Sequence, residues 1–148
     1  MNSLKTEVVI NASIETVFAF FSKAENLEQL TPQWLRFKIL TPLPVIINKD
    51  SLITYRIKLF YIPMRWKTKI TDWEPPHRFT DVQLKGPYKT WIHEHRFIAQ
   101  GNKTKMTDIV HYEVPGWFLS NLIHTLFVRD AVVKIFRYRT EKIKHIFS

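Results

Sequence analysis

The chain has 148 residues, 45% of them apolar, no cysteine, and a formal charge of +9 from 22 Lys and Arg against 13 Asp and Glu. That length suits one domain over 1–148 with a real core, and the missing cysteine excludes disulfides, thiolate catalysis and cysteine-held zinc. Its three glycines, Gly86, Gly101 and Gly116, stand singly at boundaries, so no phosphate-cradling loop can form and P-loop and dinucleotide enzymes drop out.

In chain order, residues 5–10 read as a strand, and Asn11, Ala12 and Ser13 can cap a helix carrying Ile14, Val17, Phe18 and Phe21 at helical spacing. A second short helix spans 24–30, before Pro32. Residues 34–40 then suit a strand, and TPLPVIINKD makes a proline-broken connection. Residues 51–61 alternate, with Ile53, Tyr55, Ile57, Leu59 and Tyr61 on one face. Pro63 marks a turn, and Trp66, Thr68 and Ile70 oppose Arg65, Lys67 and Lys69. The segment at 74–77 (EPPH) is the next turn.

Residues 79–97, FTDVQLKGPYKTWIHEHRF, form the most informative stretch: two strands around Gly86-Pro87. On the second strand Trp91, His93, His95 and Phe97 share one face, because strand side chains alternate. Two aromatics and two imidazoles on one face suit a pocket wall. In the strand at 104–114, Met106, Asp108, Val110, Tyr112 and Val114 share a face. A helix at 117–147 then carries an apolar arc that includes Leu122, Leu126, Val132, Phe136 and Ile143. This order predicts an α+β fold in which a curved antiparallel sheet grips a long C-terminal helix, with two short helices after the first strand.

The pattern F-x-D-x-Q-x-x-G-P-x-x-x-W-x-H-x-H-x-F resembles the SRPBCC superfamily, the helix-grip proteins that include START lipid-transfer domains, the birch-pollen allergen and aromatic polyketide cyclases. A bacterial ligand-binding branch looks most similar. Its strand T-x-M-x-D-x-V-x-Y-x-V-P falls at 104–115 and its helix segment I-F-x-Y-R at 135–139. One departure is Lys49-Asp50, where the branch tends to have glycine. The resemblance covers essentially the whole chain and implies a cavity for an apolar or amphipathic small molecule, without fixing one ligand or reaction.

Register decides which side chains meet. With Gly101-Asn102 as a two-residue loop, His95 faces Asp108, His93 faces Val110 and Trp91 faces Tyr112. At Gly86-Pro87, a two-residue loop pairs Val82 with Trp91 and places Val82 and Leu84 inside. A longer loop or bulge pairs Asp81 with His93 and Gln83 with Trp91. Binary patterning favours the first and the family motif the second, which is preferred. Asp81, His93, His95 and Asp108 then form a polar cluster in an apolar wall that also includes Tyr55, Trp66, Gln83, Trp91, Tyr112 and Phe136. Its simplest reading is a self-satisfying buried network; a head-group recognition patch and acid–base catalysis are the functional ones. His-x-His beside carboxylates can bind metal, but two Asp–His pairs satisfy each other, so no metal or other cofactor is expected. Arg129 and Arg139 fall in the helix's apolar arc. Both are expected to snorkel, with a carboxylate of Asp108 or of a ligand as the alternative partner for Arg129.

The leading functional reading is a binder or carrier of a hydrophobic or amphipathic small molecule such as a lipid, quinone or polyketide-like compound, with no catalysis required. A cyclase or dehydratase using the Asp–His pairs is the first alternative. Peripheral membrane or partner contact through the basic helix face is the second. The basic residues carry no nucleic-acid signature, no apolar run reaches the roughly 18 residues of a membrane span, and the N-terminus lacks a secretory h-region, so a cytoplasmic location is expected.

Overall fold

The computed structural model describes residues 1–59, 61–116 and 121–148, with 121–126 described through the backbone alone. Seven antiparallel strands form one sheet: β1 (Asn2–Ile10), β2 (Lys38–Ile39), β3 (Leu52–Leu59), β4 (Ile62–Glu74), β5 (Arg78–Lys85), β6 (Thr90–Gln100) and β7 (Lys103–Glu113). Their order is β1-β7-β6-β5-β4-β3-β2, a meander from β3 to β7 whose last strand closes on the first. Helices α1 (Ile14–Phe21), α2 (Asn26–Leu30) and α3 (Asn121–Ile146) complete the helix-grip architecture.

Local chemistry accounts for these elements. The Ser13 hydroxyl accepts from the Thr16 backbone N–H and starts α1. Ile14, Val17, Phe18 and Phe21 then fall on one buried face of that helix. Phe18 packs against Trp73, Phe79 and Phe97, which fills one end of the sheet's inner surface. At the other end Trp66, Tyr88, Trp91 and Tyr112 gather with Val128, Val132 and Phe136 of α3. On α3, Val128, Val132, Phe136, Arg139 and Ile143 are buried, the stripe that an amphipathic helix lays on a sheet. Between the two clusters lies an internal cavity.

The Gly101-Asn102 register is as expected, with Gln100 opposite Lys103 and His95 opposite Asp108. Gly101 supplies the positive φ (62°) that this tight turn requires. In the preceding hairpin Asp81 pairs with His93, so the longer connection holds. Asp81 lies on the inner face and Leu84 is exposed.

Several expectations need correction. The strand expected at 34–40 is a single 3₁₀ turn (Gln33–Leu35) followed by Arg36 at φ 49° and only two residues of strand, because the left-handed residue breaks the extended run. Tyr61 is not on the inner face: it has φ 67° and is 91% exposed. The turn precedes Ile62, which pairs with Leu59, and Pro63 is a strand residue opposite Lys58. Pro63 is tolerated there because the β4–β5 ladder reaches only to Lys67 on that strand's other side. The second helix begins at Asn26 rather than at 24, and β1 starts at Asn2 rather than at 5. The expected helix residues 117–120, and the side chains of Leu122 and Leu126, lie outside the described residues. Asp50, where the resemblance expects glycine, has φ 66°. The backbone there is the left-handed one glycine favours, and aspartate is among the few other residues that adopt it readily.

Candidate functional site

The site begins with alternation on β6. Trp91, His93, His95 and Phe97 are all buried on the inner face. β5 brings Asp81 beside them from one side, and β7 brings Asp108 from the other. Aromatic rings hold the imidazoles in a column: Phe79 stacks on His95 at 4.0 Å, His93 lies against His95 at 3.7 Å with its ring tilted by 31°, and Phe136 meets His93 edge-on at 5.3 Å.

Each carboxylate spans both rings. His93 Nε2 donates to Asp108 Oδ1 at 2.8 Å, and His95 Nε2 donates to Asp81 Oδ2 at 2.6 Å. These shortest bonds run diagonally across the Cα register. The expected contact of His95 with Asp108 is also made, from Nδ1 at 3.1 Å. The remaining nitrogen, His93 Nδ1, lies 3.6 Å from Asp81 Oδ2, beyond hydrogen-bond reach.

Arg139 completes the cluster. It is only 6% exposed, donates from Nε to Asp108 Oδ2 at 3.2 Å, and lies over the Phe21 ring at 5.2 Å. The expectation of a snorkelling Arg139 is therefore wrong. Its head is inside because a buried carboxylate needs a compensating charge. Arg129 is exposed on α3, away from Asp108's ion pairs and from the cavity lining. Arg139 is thus the site residue that sequence reasoning missed. The available signal was its phase with Val132, Phe136 and Ile143, residues that are all core.

Electrostatics separates the two histidines. Burial opposes a charge on His95, but Asp108 and Asp81 outweigh it and hold its pKa above the ordinary value. At His93 burial and the neighbouring His95 outweigh the same two carboxylates, and its pKa is lowered. Burial would raise both acids, yet Arg139 and His93 drive Asp108 well below the usual carboxylate range, and His93 and His95 lower Asp81. Beside two carboxylates and a guanidinium, the two imidazoles are thus pushed in opposite directions, His95 toward its charged form and His93 toward its neutral one.

The cavity beside this cluster holds about 140 Å³. An apolar void of roughly 150 Å³ takes up a benzene-sized guest. Of the residues expected to line it, Tyr55, Trp66, Asp81, Trp91, His93, His95 and Phe136 do so. Asp108 sits behind the histidines, and Tyr112 packs against Trp91 and Tyr88. Gln83 instead ties the hairpin: its amide donates to the Tyr88 carbonyl and accepts from the Tyr88 N–H. Trp66 Nε1 is a buried donor in the cavity wall with no partner among the described residues. Asp81, His93 and His95 also bring potential metal-ligand atoms within 4.8 Å of one another.

Residues 10–135 match the family model described as polyketide cyclase / dehydrase and lipid transport. The chain belongs to this family. Solved structures show the same helix-grip (SRPBCC) fold at low identity. A protein from Chromobacterium violaceum is 10% identical, with a TM-score of 0.75 over 99% of this chain and 98% of its own. One from Arthrobacter aurescens is 14% identical, with a TM-score of 0.73 over 98% of this chain and 85% of its own. Major latex-like protein 151 from Panax ginseng is 12% identical, with a TM-score of 0.70 over 99% and 97%. No curated protein matches. Family and fold together describe a protein with a hydrophobic ligand cavity. Among the described residues no helix is long and apolar enough to cross a membrane.

Proposed function

We propose that this family member is an acid–base enzyme of the cyclase or dehydratase type. Its ligand is a small, mainly apolar carbonyl compound, with about one ring's volume held beside His93. The observation that carries this reading is the pair of adjacent imidazoles, 3.7 Å apart, whose pKa values are pushed in opposite directions. Adjacent titratable groups driven apart in this way are how one site holds an acid and a base at once.

The roles follow from the bonds. Asp108 accepts the Nε2 proton of His93, so the lone pair resides on Nδ1, the nitrogen without a hydrogen bond. His93 Nδ1 takes a proton from the carbon next to a carbonyl and returns it to a departing hydroxyl, which leaves as water. The Trp66 indole N–H, unpaired among the described residues, donates to the ligand oxygen. His95, clamped between two carboxylates, is a positioning residue that keeps His93 neutral. The order Asp81–His95, Asp108–His93, Arg139–Asp108 leaves every charge paired without a ligand, which also favours the plain carrier reading.

Proton exchange separates the two readings. The wild-type protein is incubated in D₂O with a panel of small aryl ketones, and deuterium at the α-carbon is followed by NMR. Exchange should accelerate on the wild type and fall on the order of a hundredfold or more in His93→Gln, while ligand binding by calorimetry persists. Equal exchange with and without protein, alongside tight binding, would establish a carrier.

A further inference from the structure

The outer surface of the sheet divides into two halves with different charge arrangements. On β1, β6, β7 and the first turn of β5, cations meet acids: Lys5 and Lys105 on Glu7, Arg78 on Glu74 and Glu94, Arg96 on Glu94, and Lys89 on Glu113. The half built from β2, β3, β4 and the end of β5 is different. Lys38 stands opposite Arg56, and Arg56 opposite Arg65, making one cationic row across three strands. Lys67 stands opposite Lys85 in a second row, and Lys58 extends β3 beyond the first. All six are exposed, and among the described residues none forms an ion pair; on this half only Lys69 does, with Asp50 at 3.7 Å.

Like charges directly opposite each other on a sheet are destabilising. A folded chain that sets five of them opposite one another, with Lys58 on the same face, bears that cost where an external partner supplies negative charge. This half of the sheet ends at the β3–β4 turn, where Tyr61 is 91% exposed and Ile62, on the opposite face from Lys58 and Arg65, is 56% exposed at the sheet's rim. A groove next to it is lined by Met64, Arg65, Lys85 and Tyr88, and Tyr88 also forms part of the inner cavity's wall. On α3, Lys134 and Lys144 are matched by Asp130 and Glu141, while among the described residues the exposed Arg129 and Arg137 form no ion pair.

We propose that the β2–β5 face docks on an anionic phospholipid membrane, with the β3–β4 turn inserted at the headgroup boundary. Cations over the headgroups, with an aromatic and an aliphatic side chain at their edge, is the chemistry of an interfacial site. A nucleic acid would account for the charge but not for the apolar tip. The membrane is also where an apolar ligand partitions, and the Tyr88 wall shared by groove and cavity puts docking next to the pocket. This inference goes beyond the proton-transfer reading and stands or falls without it.

The test is sedimentation of the full chain with vesicles of phosphatidylcholine alone or mixed with phosphatidylserine. At about 0.1 M salt the wild type should pellet only with the mixed vesicles, and at about 0.5 M it should be released. Arg56→Glu/Arg65→Glu/Lys67→Glu should weaken binding on the order of a hundredfold while melting no lower than the wild type, since it relieves like-charge repulsion. Tyr61→Ser/Ile62→Ser, which leaves every charge in place, should weaken it roughly tenfold. Equal pelleting with phosphatidylcholine alone, or undiminished binding by both variants, overturns the proposal. So does tighter binding to duplex DNA than to the mixed vesicles.

Discussion

The two ends of the cavity are built by different physics. At the aromatic end, Trp66, Tyr88, Trp91 and Tyr112 pack ring against ring at centroid distances of 4.8–6.1 Å. Each ring there has several neighbours, so trimming one leaves the others mutually supported. At the polar end, Asp81, His93, His95, Asp108 and Arg139 depend on specific partners, and removing one strands a buried charge or donor. Packing tolerates editing; pairing does not. A ligand seated between the two ends meets a wall that can adjust and a wall that cannot.

The sharpest way to break this comparison is Arg139→Leu. Removing the guanidinium leaves Asp108 buried beside it, and the cost should be about 3–5 kcal/mol in urea melts. Adding Asp108→Asn should recover part of that loss; strictly additive losses would mean that the pair is not coupled. Next in size is His95→Ala, at about 2–4 kcal/mol. Its pH dependence has a definite sign. The folded pKa of His95 is raised, so its stabilisation is full below the unfolded value of about 6.5 and is lost as pH rises through the folded value. The gap between wild type and variant should therefore narrow in alkaline melts. Asp108 runs the other way: its stabilisation is full above the unfolded value of about 3.9 and is lost as pH falls through the depressed folded value.

At the aromatic end, Trp66→Phe should cost less than about 1.5 kcal/mol, because the indole N–H it deletes has no partner among the described residues. Ligand affinity should fall by about fivefold, the worth of one ordinary hydrogen bond, as read by calorimetry. A large stability loss with unchanged affinity would put Trp66 in the fold's support and not in recognition. Smallest of all is His145→Ala on the exposed side of α3, expected within about 0.5 kcal/mol of wild type.

How far the sequence reached depended on whether the signal was local. The Gly101-Asn102 turn and the alternation through Trp91, His93 and His95 lie within neighbouring strands, and they place Asp108 correctly. Asp81 needed the family pattern, because the polarity of Val82 and Leu84 argued for the opposite register. The two arginines show where periodicity runs out. Arg129 and Arg139 fall within one apolar arc with Val132, Phe136 and Ile143, yet only Arg139 lies over the buried carboxylate. Phase says which way a side chain points from a helix, and depth along the helix says what it meets. That depth is set by the packing of α3 on the sheet. Tyr61 and Pro63 were misplaced for a related reason: proline signals a turn in sequence, but a strand end without a neighbour accommodates it.

The Gly101-Asn102 turn carries a consequence out of proportion to its position. It is exposed, touches no part of the cavity, and by ordinary expectation is where a chain accepts insertions. Yet its length is the gauge that sets β7 against β6. One added residue absorbed as a register slip would send Asp108, Val110 and Tyr112 to the solvent side and bring Thr107, Ile109 and His111 inward. Arg139 would then face no acid on β7. In an engineered or drifting lineage, this distant surface turn should resist changes of length as firmly as the histidines resist changes of identity.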